Sequence, residues 1–462
     1  MRTTIQRRYG FASLLLAGLV GLPLDLPAAD SLTWHKSETR VDADVRDWPL
    51  SKLLEEISTS TGWETYVEPG SEHTASSKFT SLPVADALRR LLGNLNFALV
   101  PQTNSTPRLF VFRTSLQEAT QLVRPPLPKP AKPSAAKRID NELIVKLKPG
   151  ARIEDLARQL GAKVVGSIDG LNAYRLRFDD SQSADAARES LAANSDVSSV
   201  DSNYVVDRPL PPQAMLASSL PPLNIKARPP GDGGRIIVGL VDTPVQPLGG
   251  NLDAFLLPSV SVAGDARPDP NYPTHGSSMA ETVLASLQTA TGGSSSVQIL
   301  PVDVYGNNAS TTTFDVALGI TKAANAGANP INLSLGSDAD TPFLHDVIKQ
   351  AKSQGVVFFA AAGNEPVTTP FYPAAYSEVT SVTAGDRRGN IADYANRGSF
   401  VDIVAPGSSV VYFRGQPFYV LGTSASSAYA TGLAAGLAET SKKSLADVET
   451  ALRQNLAVKP KP

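Results

Sequence analysis

The sequence predicts an α/β protein, a doubly wound, mostly parallel sheet preceded by two small α+β domains. Three observations carry this. From Arg235 onward near-continuous apolar runs alternate with helical patterns, as strands covered on both faces require. Two shorter stretches upstream each mix helix-period and strand-period segments. A Pro/Lys/Ala-rich segment, RPPLPKPAKPSAAK at 124–137, separates those two stretches and reads as stiff and extended.

The chain has 462 residues, enough for about three domains. Its 44 acidic and 42 basic side chains nearly cancel, which argues against nucleic acid as the main partner. Cysteine is absent, so disulfide and thiolate-metal chemistry are excluded. The first 29 residues read as an export signal. Arg2, Arg7 and Arg8 precede a short apolar run from Phe11 to Leu22, and Pro27-Ala28-Ala29 offers small residues at a cleavage point. An uncleaved anchor is the alternative. The expected location is outside the cytoplasm, periplasmic or secreted.

In the front unit, 31–115, Leu50, Leu53, Leu54 and Ile57 mark one helix face opened by Pro49 and stopped by Gly62. Trp63 to Val67 reads as a strand. Val84, Ala87, Leu88 and Leu91 repeat the helical pattern after Pro83, and strands follow at Phe97–Leu99 and Leu109–Phe112. His73, in a polar loop, is expected to be solvated rather than a ligand. The pieces PL..LL..I...TGW and LPVADALRRLLGNLNFALV resemble the short N-terminal domain of secretins and TonB-dependent receptors. That resemblance implies a periplasmic module that contacts an envelope protein; a generic spacer is the alternative. A linker is expected over 116–137.

Residues 138–206 follow the order βαββαβ of a ferredoxin-like fold, with strands at Leu143–Leu147, Val164–Val165, Ala173–Phe178 and Val197–Asn203. Helices fall at Ile153–Leu160 and Ala184–Ala193. The pieces NELIVKLKPG and VSSVDSNYVV resemble the inhibitory propeptide of subtilisin-like proteases. The resemblance implies a module that templates folding of the downstream domain and leaves its tail in the cleft; an unrelated ferredoxin-like domain is the alternative. Residues 207–231 form the linker and maturation region.

The third unit, 232–455, places apolar strands at Ile236–Val241, Ile299–Val304, Ile331–Leu335, Val356–Ala361 and Val379–Ala384. Ligands are expected at the carboxyl ends of such strands. Asp242 stands at the first of these ends, His275 opens a helix in THGSSMAETVL, and Ser424 follows a short strand in LGTSASSAYATG. A serine hydroxyl needs an imidazole to take its proton and a carboxylate to hold the imidazole tautomer. The chain has four histidines; His35 and His73 lie in the front unit and His345 in a helical stretch, which leaves His275 as the placed base. Ser424 at a helix N-terminus meets free amides and the positive dipole end. Taken alone it is equally a helix cap. Asn364, in AAAGN at another strand end, can donate its side-chain N–H to an oxyanion beside the Ser424 amide. INLSLGS, 331–337, can pair with an extended substrate.

Residues 232–440 are identified as resembling subtilisin-like serine proteases through IIVGLVDT, HGSSMAETV, INLSLGS, AAAGN, YPAAYSEVTSVTAGD, IVAPG and GTSASSAYATG. The resemblance implies Asp242, His275 and Ser424 as the triad and Asn364 in the oxyanion hole. It implies Ser334, Leu335, Gly336, Ala361, Ala362 and Gly363 around the primary specificity pocket. The activity so implied is a serine endopeptidase made as a self-inhibited zymogen, with a polypeptide substrate, its own propeptide as inhibitor and no cofactor. No metal set is evident; Asp265, Asp269, Asp338 and Asp340 read as solvated loop acids. Glu365 is a candidate rim carboxylate for a basic substrate side chain, with a plain surface role as the alternative. The chain departs from the family pattern at Pro244, Ser278 and Ala425 to Ala428. A weak or self-processing-only scaffold that binds peptide is therefore the alternative function.

Overall fold

The computed structural model describes residues 30–458 apart from 36–38, 102–106, 124–135, 216–220 and 231–234. The export segment and most of the proline-rich linker lie outside the described residues. No helix among the described residues is long and apolar enough to cross a membrane.

The front unit carries the two expected helices, Leu50–Thr61 and Val84–Leu92, each opened by a proline. Gly62 closes the first in a left-handed conformation that a side chain would strain. Three strands go beyond the sequence expectation: Ser31–His35, Arg40–Pro49 and Thr74–Pro83, which form one antiparallel sheet. A second sheet orders Asn96–Val100, Arg108–Phe112, Glu64–Val67 and Gln121–Leu122. Leu116–Glu118 and Gln121–Leu122 pack with this unit, so it runs past residue 115 into the expected linker. His73 is not simply solvated, since its Nε2 lies 2.7 Å from the Leu91 carbonyl oxygen and ties the loop to the second helix.

The middle unit is βαββαβ. Its strands Val197–Asp207, Arg138–Leu147, Ala173–Arg177 and Lys163–Ile168 lie side by side in that order, all antiparallel. Helices Ile153–Leu160 and Ser181–Ala192 cover one face, over Leu143, Val145, Leu176 and Phe178.

The third unit is a seven-stranded parallel sheet in the spatial order Val260–Ser261, Gln298–Asp303, Ile237–Asp242, Ile331–Leu333, Phe358–Ala361, Val379–Ala384, Ile403–Ala405. Apart from the edge strand Val260–Ser261, the strands are buried along nearly all their length, as their apolar runs require. Helices Thr313–Asn325 and Pro342–Ser353 cover one face. His275–Thr291 and Thr423–Ser441 cover the other. These last two cross at Gly432, where a Cβ would come within 2.2 Å of the Val283 carbonyl oxygen. Small residues there let the helices that begin at His275 and at Thr423 pack backbone to backbone.

The units are joined by packing. Tyr66 and Phe110 of the front unit stack with centroids 5.1 Å apart, and Phe110 meets Tyr419 of the third unit at 4.6 Å. Asp393 accepts the Leu122 amide at 3.0 Å, and Glu118 pairs with Arg387. The middle unit meets the N-terminus of the Thr313 helix. There Asn203 Oδ1 accepts from Thr313 Oγ1 at 3.0 Å and from the Phe314 amide at 3.1 Å, while Arg175 pairs with Asp315 at 2.9 Å.

Candidate active site

Asp242 ends its strand fully buried. His275 is the first residue of its helix, whose N-cap Thr274 accepts from the Ser277 amide. The next residue must be glycine, because a Cβ on Gly276 would fall 2.2 Å from the Thr243 carbonyl oxygen. This close approach seats the ring on Asp242. His275 Nδ1 lies 2.8 Å from Asp242 Oδ1 and 3.0 Å from Oδ2. The Thr243 amide donates to the same Oδ1 at 2.6 Å. A buried carboxylate so held fixes the ring's orientation and favours the tautomer with its proton on Nδ1.

Ser424 is the second residue of its helix, behind Gly422 at φ 143°. A Cβ on Gly422 would lie 3.0 Å from Asn364 Nδ2, so glycine lets the Asn364 side chain lie against the turn. Asn364 Oδ1 accepts from the Thr423 amide at 2.8 Å and from Thr423 Oγ1 at 3.1 Å. The oxygen is thereby occupied, and the two Nδ2 hydrogens remain for another acceptor. Beneath the helix, Asn332 Nδ2 donates to Ser334 Oγ at 2.9 Å, and Asn332 Oδ1 accepts from Ser427 and Thr431. Ser334 Oγ in turn donates to the Ser424 carbonyl at 3.0 Å. This buried chain of hydrogen bonds clamps the Ser424 helix to the sheet.

The Ser424 hydroxyl donates to the Ser334 carbonyl at 3.3 Å; among the described residues it makes no hydrogen bond to His275. Ser424, Asn364, Ser334, Leu335, Gly336, Ala361 and Gly363 all border one cavity of about 340 Å³. Ala362, also expected at this pocket, is absent from its wall. Its amide is spent on the Val382 carbonyl, and the residue is fully buried just past the end of its strand. Gly336 is required where it stands, since a Cβ would meet the Phe371 ring at 2.4 Å. Glu365 and Asp338 both reach the wall. Burial, and secondarily the Glu365 charge, push the Asp338 carboxyl up.

The departures are absorbed by bonding. Pro244 contributes its carbonyl to Thr274 Oγ1. Ser278 Oγ donates to the Thr274 carbonyl at 3.1 Å. Ser426 and Ser427 donate to Ala405 O and Asn332 Oδ1. One wall is the chain's own linker, as the likeness to a subtilisin-type propeptide implies: Arg208, Pro209 and Leu210 border the same cavity as Ser424.

Comparison with known proteins shows what the chain resembles. Residues 233–457 match the model of the subtilase family, and residues 126–203 match that of the fervidolysin N-terminal prodomain. The thermophilic serine proteinase of Bacillus sp. (strain AK1) is 34% identical over 222 residues, covering 47% of this chain and 55% of that protein. Thermitase of Thermoactinomyces vulgaris is 33% identical over 227 residues, covering 48% of this chain and 80% of thermitase. The chain thus spans little more than half the length of the Bacillus relative. The crystal structure of fervidolysin from Fervidobacterium pennivorans, described as a keratinolytic enzyme related to subtilisin, superposes over 68% of this chain and 57% of that one. Its TM-score is 0.52 at 19% identity, a likeness of fold.

Proposed function

The chain belongs to the subtilase family, and from that premise we propose that it is an exported serine endopeptidase made as a self-inhibited zymogen. Ser424 attacks a peptide carbonyl, and His275 Nε2 takes the hydroxyl proton and returns it to the departing amine. Asp242 holds Nδ1 and stabilises the imidazolium. Asn364 Nδ2 and the Ser424 amide receive the oxyanion. Ser334, Leu335, Gly336, Ala361 and Gly363 cradle the residue on the acyl side, and the Asp338–Glu365 pair favours a basic side chain there. A rotation of the Ser424 side chain moves its hydroxyl from Ser334 O to His275 and precedes the attack. The middle unit is the inhibitory propeptide. The front unit, on its likeness to secretin and TonB-receptor modules, meets an envelope partner through the surface not packed on the protease.

The observation that carries this reading is the buried Asp242–His275 pair, held through both carboxylate oxygens, with the His275 helix packed against the helix whose second residue is Ser424. The test is labelling of the full chain with a fluorophosphonate probe before and after limited proteolysis, with Ser424→Ala alongside. A labelled protease-sized band in the opened wild type, absent from Ser424→Ala, is expected. No labelling after opening, with peptide binding retained, would instead establish a peptide-binding scaffold.

A further inference from the structure

The linker after the propeptide borders the Ser424 cavity and is held on the protease at both ends. Upstream, Val205, Val206 and Asp207 pair antiparallel with Thr312, Thr311 and Ser310. The Arg208 amide donates to the Ala309 carbonyl at 3.0 Å, and its guanidinium to the Gly306 and Asn308 carbonyls. Downstream, Gln213 and Ala214 pair antiparallel with Tyr419 and Phe418 of the strand that runs into Gly422 and Ser424. The Met215 amide donates to Pro417 O at 2.9 Å. The Met215 side chain is buried among Tyr66, Phe110 and Tyr419, between the front unit and the protease. The stretch held at both ends is thus Arg208-Pro209-Leu210-Pro211-Pro212-Gln213, and every one of its peptide bonds has a proline on one side or both.

We propose that this stretch is a proline-guarded inhibitory strand, laid across the cleft as a substrate would lie but not cut there. The proposal rests on the protease reading above and adds the regulation of that site. Cleavage forms an ester between Ser424 Oγ and the acyl carbon and breaks the C–N bond, with the hydroxyl proton passing through His275 to the departing nitrogen. At Arg208–Pro209, Leu210–Pro211 and Pro211–Pro212 that nitrogen is tertiary. Its ring locks φ and restricts the preceding residue, so the bond resists the reactive alignment. At Pro209–Leu210 and Pro212–Gln213 the acyl residue is itself proline and has no N–H for the Ser334 carbonyl. That carbonyl is instead taken by the Ser424 hydroxyl, which leaves the nucleophile off His275. Leu210 borders the cavity but stays 84% exposed, so it does not fill it. Should a bond be cut, the new N-terminus stays paired to Tyr419 and pinned at Met215. The amine remains at high effective concentration and favours resealing.

The experiment compares intact masses and N-termini of the purified full chain, wild type and Pro209→Ala/Pro211→Ala/Pro212→Ala, each with and without Ser424→Ala. Pro209→Ala alone serves as a milder variant. The expected result is a wild type uncut between Arg208 and Gln213, a proline-free chain cut within that stretch, and loss of the cut with Ser424→Ala. A wild-type cut inside the stretch that Ser424→Ala abolishes would overturn the guard while leaving the protease reading intact. A proline-free chain that stays whole, yet is labelled at Ser424 by the fluorophosphonate probe, would overturn it equally. If the chain stays whole and no form is labelled even after opening, both readings fall.

Discussion

His275 Nδ1 sits between the two carboxylate oxygens of Asp242, 2.8 Å from one and 3.0 Å from the other, with the acid fully buried. Asp242→Asn keeps the shape but can present an N–H where the carboxylate accepts. The ring then favours the tautomer with its proton on Nε2, facing the wrong way to take the Ser424 proton. We expect kcat to fall by about 10⁴ with the fold intact. Peptide hydrolysis by the opened chain, set beside its circular dichroism, measures both.

Asn364 has two functions that substitution can separate. Its oxygen caps the Thr423 amide, and its nitrogen is the proposed oxyanion donor. Asn364→Asp keeps the acceptor and removes the donor, so kcat should drop by about 10²–10³ with little change in stability. Asn364→Leu loses the cap as well and should also destabilise by about 1 kcal/mol. Equal activity in wild type and Asn364→Asp would remove Asn364 from the oxyanion site.

Much of this site is written locally in the chain. Apolar runs long enough to be covered strands end at Asp242 and at Ala361 beside Asn364, so the parallel sheet and its carboxyl-end residues could be read together. Other features have no local signal. Ser310–Thr312 and Gln213–Ala214 are three and two residues long, too short to show a period, yet they position the linker. The Tyr66–Phe110–Tyr419 contact joins aromatics that are each ordinary strand residues on their own. The strand Arg40–Pro49 is a different case. Val41, Ala43 and Val45 alternate inward among charged residues, a period of two that is a legible strand signal even though charge dominates the stretch.

Asn203 should resist even its closest substitute. An aspartate would ordinarily suit the start of a helix, and Oδ1 of Asn203 already accepts the Phe314 amide there. Its Nδ2, however, donates to Glu142 Oε2 at 2.8 Å in a buried site. Asn203→Asp sets two carboxylates against each other, at a cost of about 1–3 kcal/mol in propeptide docking. Chemical denaturation should show an earlier transition, and Glu142→Gln in the same chain should restore part of the loss. Additive losses in the double variant would refute the contact.

Glu281 lies on the His275 helix, 5% exposed, with Oε1 accepting the Tyr412 amide at 2.8 Å. Burial pushes its carboxyl up to about 7, against which the Tyr412 amide is the one opposing influence. Unfolding returns it to the ordinary carboxylate range near 4.5. Below that pH both states hold the proton, and the group does not affect the balance. Between 4.5 and 7 the folded state keeps a proton that the unfolded state has lost, so stability falls as pH rises through this window. Above it the loss levels off at a size on the order of 3 kcal/mol. Glu281→Gln keeps the acceptor for Tyr412 and lets its amide nitrogen face the cavity that Glu281 borders. The variant should match wild type near pH 4.5 and exceed it at pH 8 in chemical denaturation. A difference that does not change with pH would show that Glu281 is already ionised in the folded protein.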